Sequence, residues 1–71
     1  MTDRDANAEA VRRWGAAGSA WHHCYSRPTD WDYCRVGLAV GDVRDNWIVY
    51  GRGRSWIEAL MDSIRKGYSE L

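Results

Sequence analysis

The chain has 71 residues, and its ten Lys+Arg and ten Asp+Glu give a formal net charge of zero. A domain of this size buries only ~60% of the surface that its unfolded chain exposes, so we expect residues 1–71 to form a single small domain. The balanced charge excludes a chain-wide attraction to nucleic acid or anionic membranes. The sequence has no export signal and no apolar run of ~18 residues, which predicts a cytoplasmic protein with no membrane partner.

The first predicted element is a helix in the N-terminal segment. Asp3 and Asp5 lie near the positive end of its dipole, and Gly15 and Gly18 are expected to end or loosen it. Apolar residues recur at helical spacing at Ala6, Ala10, Val11, Trp14 and Ala17. This stripe predicts that Trp14 lies in the core.

Three strands are predicted to follow. Residues 21–25 form the weakest candidate. Residues 33–40 alternate between apolar and other side chains, with the apolar face on Cys34, Val36, Leu38 and Val40. Residues 47–50 form another β-rich run, and the turn-rich segment 41–46 before it predicts an antiparallel hairpin.

The last predicted element is a helix over residues 55–67. Ser55 and Glu58 have the spacing of a capping box, in which each side chain bonds the other residue's backbone amide, and Gly67 supplies a stop. An apolar stripe with helical spacing is formed by Trp56, Ile57, Leu60, Met61, Ile64 and Tyr68. We expect this stripe to be buried.

Together these elements predict an α+β fold of order αβββα, a three-stranded antiparallel sheet with two helices packed on one face. Each helix has one apolar stripe and the sheet has one apolar face, so the helices should leave the other face of the sheet open. That open face is expected to carry Tyr33, Arg35, Gly37 and Ala39, joined by Trp47 or Tyr50.

The element order and the segment 51–59 resemble the double-stranded-RNA-binding domain. The small residues that the family has where its third strand enters its second helix are here Gly51, Gly53, Ser55 and Ala59. The resemblance implies the αβββα fold and, for the family, binding to duplex RNA. The family's phosphate-gripping lysines are replaced here by Trp56, Ile57 and Leu60. The main ligand-binding feature of that family is therefore missing.

The layout is also similar to the antitoxin half of HicAB-type systems. A compact, Trp-rich domain without a catalytic apparatus further resembles the small inhibitors that phages encode against host defence, anti-CRISPR proteins among them. Neither likeness depends on a residue motif. The second implies a phage protein that acts by docking on a partner protein.

Metal binding and catalysis have few candidate residues. On a strand, His22 and Cys24 share a face, and Cys34 on a neighbouring strand would give three of the four ligands of a zinc site. The spacing of His22, His23, Cys24 and Cys34 matches no usual zinc signature, and the alternative is two small buried thiols. No nucleophile, base and acid have a spacing that brings them together. We therefore expect no enzyme activity and no cofactor.

Arg52 and Arg54 flank two glycines just before the last helix. Their guanidiniums, the backbone amides and the helix start can converge on a phosphate or an acidic side chain. In the alternative interpretation the glycines serve only a tight exit from the strand, and Glu58 in the same turn opposes a polyanion.

The functional hypothesis comes from the tryptophans and arginines. Trp31 lies between two aspartates beside a proline-containing loop and is the best candidate for an exposed anchor. We expect a non-enzymatic protein-binding module, an inhibitor or regulator, that docks on its partner through the open sheet face and the loop around Trp31. A nucleic-acid-binding domain is the alternative, and a homodimer through a free sheet edge is a further possibility. The predicted partner-binding residues are Trp31, Tyr33, Arg35, Trp47, Tyr50, Arg52 and Arg54.

Overall fold

The structure is a computed structural model that describes residues 1–68, apart from the side chain of Asp45. Its elements in chain order are α1 (Asp3–Trp14), β1 (Gly18–His22), β2 (Cys34–Leu38), a short 3-10 helix (Arg44–Asn46), β3 (Ile48–Gly53) and α2 (Trp56–Arg65). The three strands form one antiparallel sheet in the order β1-β2-β3. The predicted αβββα order and α+β class are confirmed.

Helix α1 is closed at both ends by local hydrogen bonds. The Asp5 amide donates to Thr2 Oγ1 at 3.1 Å, and the Thr2 amide donates to Asp5 Oδ2 at 3.3 Å, which is a complete capping box. At the other end, Gly15 has a φ of 87°, a conformation that only glycine adopts freely, and its amide donates to Val11 O at 2.8 Å. The predicted stop at Gly15 is therefore confirmed.

Strand β1 begins earlier than the sequence predicts, at Gly18 instead of residue 21. Gly18 and Ala20 have little intrinsic preference for strands, so the sequence does not indicate that the strand begins there. Packing requires glycine at position 18, because a Cβ there would overlap the carbonyl group of Ala10 in α1. Residues 23–25, which were expected in the strand, belong to the loop that leads to β2.

Both helices lie on the same face of the sheet. Helix α1 packs over Gly18, and α2 packs over Gly51, where an added Cβ would overlap the backbone of Ala59. Gly18 pairs with Leu38 and Gly51 pairs with Val36, and these two residues of β2 point to one side because they are two positions apart. The buried cluster between the layers consists of Ala6, Cys34, Val36, Trp56, Ala59 and Leu60.

Helix α2 buries a narrower stripe than the sequence predicts. Its fully buried positions are Trp56, Ala59, Leu60 and Ser63. These four residues already fill the side facing the sheet, so Ile57 and Met61 are turned outward and are 60% and 55% exposed. The expectation that Ile57, Met61 and Tyr68 are buried is wrong, since Tyr68 lies past the end of α2 and is also exposed, whereas the core placement of Trp56 is confirmed.

A bulge in β3 changes which way Tyr50 points. Val36 pairs with Gly51 but Gly37 pairs with Val49, so Tyr50 is an extra residue in β3. Its ring lies on the helix side of the sheet, edge-on to Trp14 with ring centroids 5.1 Å apart. Tyr50 is therefore absent from the open face, where it was predicted as an alternative to Trp47.

Each edge strand has an outward amide that is bonded to a helix side chain. On β1, the Ala20 amide donates to Asn7 Oδ1 at 3.1 Å. On the β3 side, the amide of Arg52 donates to Asp62 Oδ2 at 3.0 Å, and just past the strand the Arg54 amide donates to a Glu58 carboxylate oxygen at 2.8 Å. These bonds occupy donors that a further strand would need.

No helix within residues 1–68 has the length and apolarity to cross a membrane.

Candidate functional site

The face of the sheet opposite the helices carries one row of large side chains. Trp21, Arg35 and Arg52 are aligned across β1, β2 and β3 by the strand register. Trp21 is only 5% exposed, because Trp47 packs edge-on against it with ring centroids 5.1 Å apart. The face that was predicted to be open is thus covered on its β1 side from within the chain.

Trp47 is held in this position by the segment before β3. Its indole N–H donates to Gly41 O at 3.1 Å, and the guanidinium carbon of Arg44 lies 5.5 Å from the ring centroid. The hydrogen bond and the cation–π contact hold the Trp47 ring against Trp21, so the ring stabilises the fold. The predicted placement of Trp47 on the open face is correct, but the ring closes part of that face.

Tyr33 lies on the other side of the sheet from its predicted position. Its ring stacks on His22 with centroids 4.3 Å apart, and His22 stacks on Trp56 at 4.6 Å. Tyr33 precedes the first residue of β2, so the alternation of that strand does not fix its direction. The three rings extend the core cluster, and Tyr33 is not available as an open-face contact.

A groove of about 820 Å³ opens beside the outer edge of β3, where α2 packs. It gathers three apolar side chains that are each more than half exposed, namely Trp31 at 61%, Ile57 at 60% and Met61 at 55%. We call this surface the Trp31 groove. The predicted exposure of Trp31 is confirmed. Ile57 and Met61 were missed as surface residues, although five large apolar residues on a helix of ten exceed what a single buried stripe holds.

The Trp31 groove has a surplus of positive charge. Its cationic lining residues are Arg52, Arg54, Arg65 and Lys66, against the two carboxylates of Glu58 and Asp62. The surplus of two positive charges contrasts with the zero net charge of the whole chain. A ligand of opposite charge is favoured there.

Both carboxylates in the groove are already engaged within the chain. Asp62 bonds the side chains of Lys66 at 2.9 Å and Arg65 at 3.1 Å in addition to the Arg52 amide. Burial raises the pKa of Asp62, but the bonds from Lys66 and from the Arg52 amide outweigh it and hold the pKa below its ordinary value. Asp62 is therefore ionised and neutralised internally at neutral pH.

The anion cradle that was predicted around Arg52 and Arg54 is not formed. Arg52 lies inside β3, not in a loop before the helix, and both backbone amides are bonded to carboxylates of α2. Glu58 takes the Arg54 amide in place of the Ser55 amide, so only the Ser55 half of the predicted capping box exists. The guanidinium of Arg54 itself has no hydrogen bond or ion pair within residues 1–68.

The proposed metal ligands do not come together. Within residues 1–68 no three His, Cys, Asp or Glu side chains are placed to hold a metal ion. Cys34 is buried and its Sγ lies 3.6 Å from Arg54 O, while Cys24 is exposed, against the expectation of two buried thiols. Burial, with smaller contributions from Asp3 and Glu58, raises the pKa of Cys34, so its thiol stays protonated and unreactive at neutral pH.

No protein-family model, curated protein or solved structure matches this chain. The resemblances drawn from the sequence extend no further than the αβββα layout.

Proposed function

We propose that the chain is a non-enzymatic protein-binding module that docks on a partner protein through the Trp31 groove. The observation that supports this most directly is the exposure of Trp31, Ile57 and Met61 in one groove of a 71-residue chain. Large exposed apolar side chains that cluster beside charged residues are typical of interaction sites, and Trp is enriched among residues that dominate binding energy.

The proposed occupant is an acidic amphipathic helix of the partner. Its apolar side would contact Ile57 and Met61, which are one helical turn apart on α2. Its acidic residues would face the surplus of positive charge around the groove, where the exposed Arg54 guanidinium has no hydrogen bond or ion pair within residues 1–68. Charge complementarity of this kind speeds association and selects against basic partners.

The closed edge of β3 supports a helix instead of an added strand. A strand that pairs with β3 needs backbone amides that point outward, and the amides of Arg52 and Arg54 already bond Asp62 and Glu58. Recognition then has to come from side chains.

The finer proposal is that docking inhibits or regulates the partner, in the manner of the phage-encoded inhibitors that the sequence resembles. Because we propose no catalytic group for the module, it would act by covering a surface of its partner. An activity assay of the captured partner, with and without added module, tests this separately from binding.

Nucleic acid is the second candidate, because Arg52, Arg54, Arg65 and Lys66 surround the exposed Trp31 ring, on which a base can stack. The two candidates differ in their dependence on salt. Affinity that depends on phosphates falls steeply between ~50 and ~200 mM salt, whereas an apolar contact changes little.

The experiment is affinity capture from a lysate of the source cell or its host, with and without nuclease, analysed by mass spectrometry. Trp31→Ala and Ile57→Ser should each weaken recovery of one protein by about 30-fold, the effect of losing a ~2 kcal/mol anchor. Tyr25→Ala is the matched control, since Tyr25 is 80% exposed and lies outside the groove. Equal recovery by all variants, or recovery that nuclease abolishes, would overturn the proposal.

A further inference from the structure

Two arginines are placed directly opposite each other on adjacent strands. Arg35 of β2 pairs with Arg52 of β3 on the face away from the helices. Side chains at directly opposite positions have Cβ atoms ~5 Å apart, and like charges there destabilise a sheet. This arrangement therefore needs negative charge nearby.

The chain supplies only part of that charge. The Asp32 carboxylate lies 3.4 Å from Arg35 Nη2 and accepts from the Ser26 hydroxyl at 2.9 Å. Within residues 1–68, Arg52 has no side-chain ion pair, and Asp62 reaches only its backbone amide. Two guanidiniums and one carboxylate leave a surplus of one positive charge.

Both guanidiniums also have an unused donor. Arg35 Nε and Arg52 Nε are buried and have no hydrogen-bond partner within residues 1–68. The Arg35 side chain is only 14% exposed, so solvent does not readily take the place of a partner. Buried donors are nearly always satisfied in folded proteins, and two of them in one cross-strand pair point to a shared acceptor.

We propose that Arg35 and Arg52 form a binding site for a single carboxylate group. The planar guanidinium fork matches the two oxygens of a carboxylate, which can accept from both arginines at once. One carboxylate also cancels the surplus of one charge. Binding requires the side chains to turn enough to present their covered Nε–H groups.

A carboxylate is favoured over a phosphate by its surroundings. Asp32 already faces Arg35, and the carboxylate of Asp62 lies at the Arg52 amide. A second negative charge on the ligand would have no further cation to meet in this row and would be repelled by these two groups. The carboxylate can belong to an acidic side chain of a partner protein or to a free organic acid.

This site goes beyond the proposed docking function and does not depend on it. Arg52 lines both surfaces, but Arg35 is not part of the Trp31 groove. An acidic residue of a bound partner would connect the two.

The test is NMR of the arginine Nε–Hε signals of the full chain during titration with sodium acetate, with sodium chloride added to keep ionic strength constant. The signals of Arg35 and Arg52 should shift together and saturate with one midpoint. Arg27, which is exposed and lies outside the pair, is the internal control and should not saturate. Arg35→Gln should weaken the response of Arg52 by about tenfold, while Arg27→Gln leaves it unchanged.

Parallel titrations identify the source of the carboxylate. Acetyl-Gly-Glu-Gly-amide carries a protein-type side chain, propionate is a free acid that also has a single carboxylate, and inorganic phosphate tests the other anion class. Stronger binding of the peptide assigns the site to a partner's side chain, and stronger binding of propionate assigns it to a free acid. Absence of saturation with all carboxylates, or saturation with phosphate alone, would overturn the site as proposed. Backbone amide spectra confirm that each variant is folded.

The two proposals fail separately. If Arg35→Gln loses acetate binding but Trp31→Ala does not affect capture of any protein, the carboxylate site stands and the groove proposal is wrong. If capture depends on Trp31 while acetate never saturates the Arg35 signal, the reverse holds.

Discussion

The backbone amide of Arg52 donates to the carboxylate of Asp62 at 3.0 Å, which joins an edge strand to the helix packed beside it. On the opposite edge, Asn7 of α1 accepts from the Ala20 amide at 3.1 Å. Each helix therefore blocks one edge of the sheet as well as covering its face. A small sheet protected in this way resists edge-to-edge association.

We predict that the chain does not form a homodimer by strand pairing. Light scattering after size exclusion at two protein concentrations should give a constant mass near 8.2 kDa. A mass that rises toward twice this value with concentration, and that Asn7→Ala increases further, would contradict the edge-blocking role of the helices.

Asp62→Ala should destabilise the fold much more than an ordinary surface substitution. The variant leaves the Arg52 amide without its acceptor and removes the pairs with Arg65 and Lys66. Hydrogen bonds to charged groups contribute ~1.5–3 kcal/mol, so we expect a loss of that size in urea unfolding.

The control for this prediction is Arg65→Ala, which breaks only an exposed ion pair. It should cost ~1 kcal/mol or less. If the two variants unfold at the same urea concentration, the amide bond does not stabilise the edge.

Leu60 and Met61 are neighbours on α2 with opposite environments. Leu60→Ala should cost ~2–5 kcal/mol, because Leu60 is buried in the cluster between the layers. Met61→Ala should stay within ~0.5 kcal/mol, since its side chain is more than half exposed in the groove. Thermal unfolding of the two variants tests which side of α2 faces the sheet. A large loss of stability in Met61→Ala would contradict this orientation.

Stability should fall in acid. Hydrogen bonds from Arg12 and Arg13 lower the pKa of Glu9 from 4.5 to about 2, and a bond from Ser26 lowers the pKa of Asp32, assisted by Arg35. A carboxyl whose pKa is lower in the folded state stabilises the fold above its unfolded pKa, and this contribution is lost as the pH falls toward the folded pKa. The loss from Glu9 is therefore expected between about pH 4.5 and 2.

Urea unfolding at pH ~7 and pH ~3, at constant ionic strength, measures this effect. Glu9→Gln should be less stable than the wild type at neutral pH and should lose less stability in acid. A wild type that gains stability at pH ~3 would contradict the assignment.

The sequence predicted the layers of the fold because their patterns are local. The alternation around Val36 identified the central strand and its buried face, and the cap at Ser55 placed the start of α2. Strand β1 was misplaced because Gly18 and Ala20 have little preference for strands, and because the close approach of α1 that excludes a side chain at Gly18 is a tertiary contact, which strand propensity does not reflect.

The site was predicted only in part, since its surfaces depend on tertiary contacts. Trp31 was identified because it stands outside every periodic pattern. The covering of Trp21 by Trp47 depends on how the segment before β3 folds back, and the direction of Tyr50 depends on a bulge. Neither leaves a signal in the spacing of residues.

Photo-crosslinking at single positions tests the proposed docking surface most directly. Benzoylphenylalanine placed at Ile57, in the Trp31 groove, should form one nuclease-resistant adduct with a protein in lysate, and the same probe at Tyr25 should form none. Adducts at Tyr25 with none at Ile57, or an adduct at Ile57 that disappears with nuclease, would contradict a protein partner in this groove.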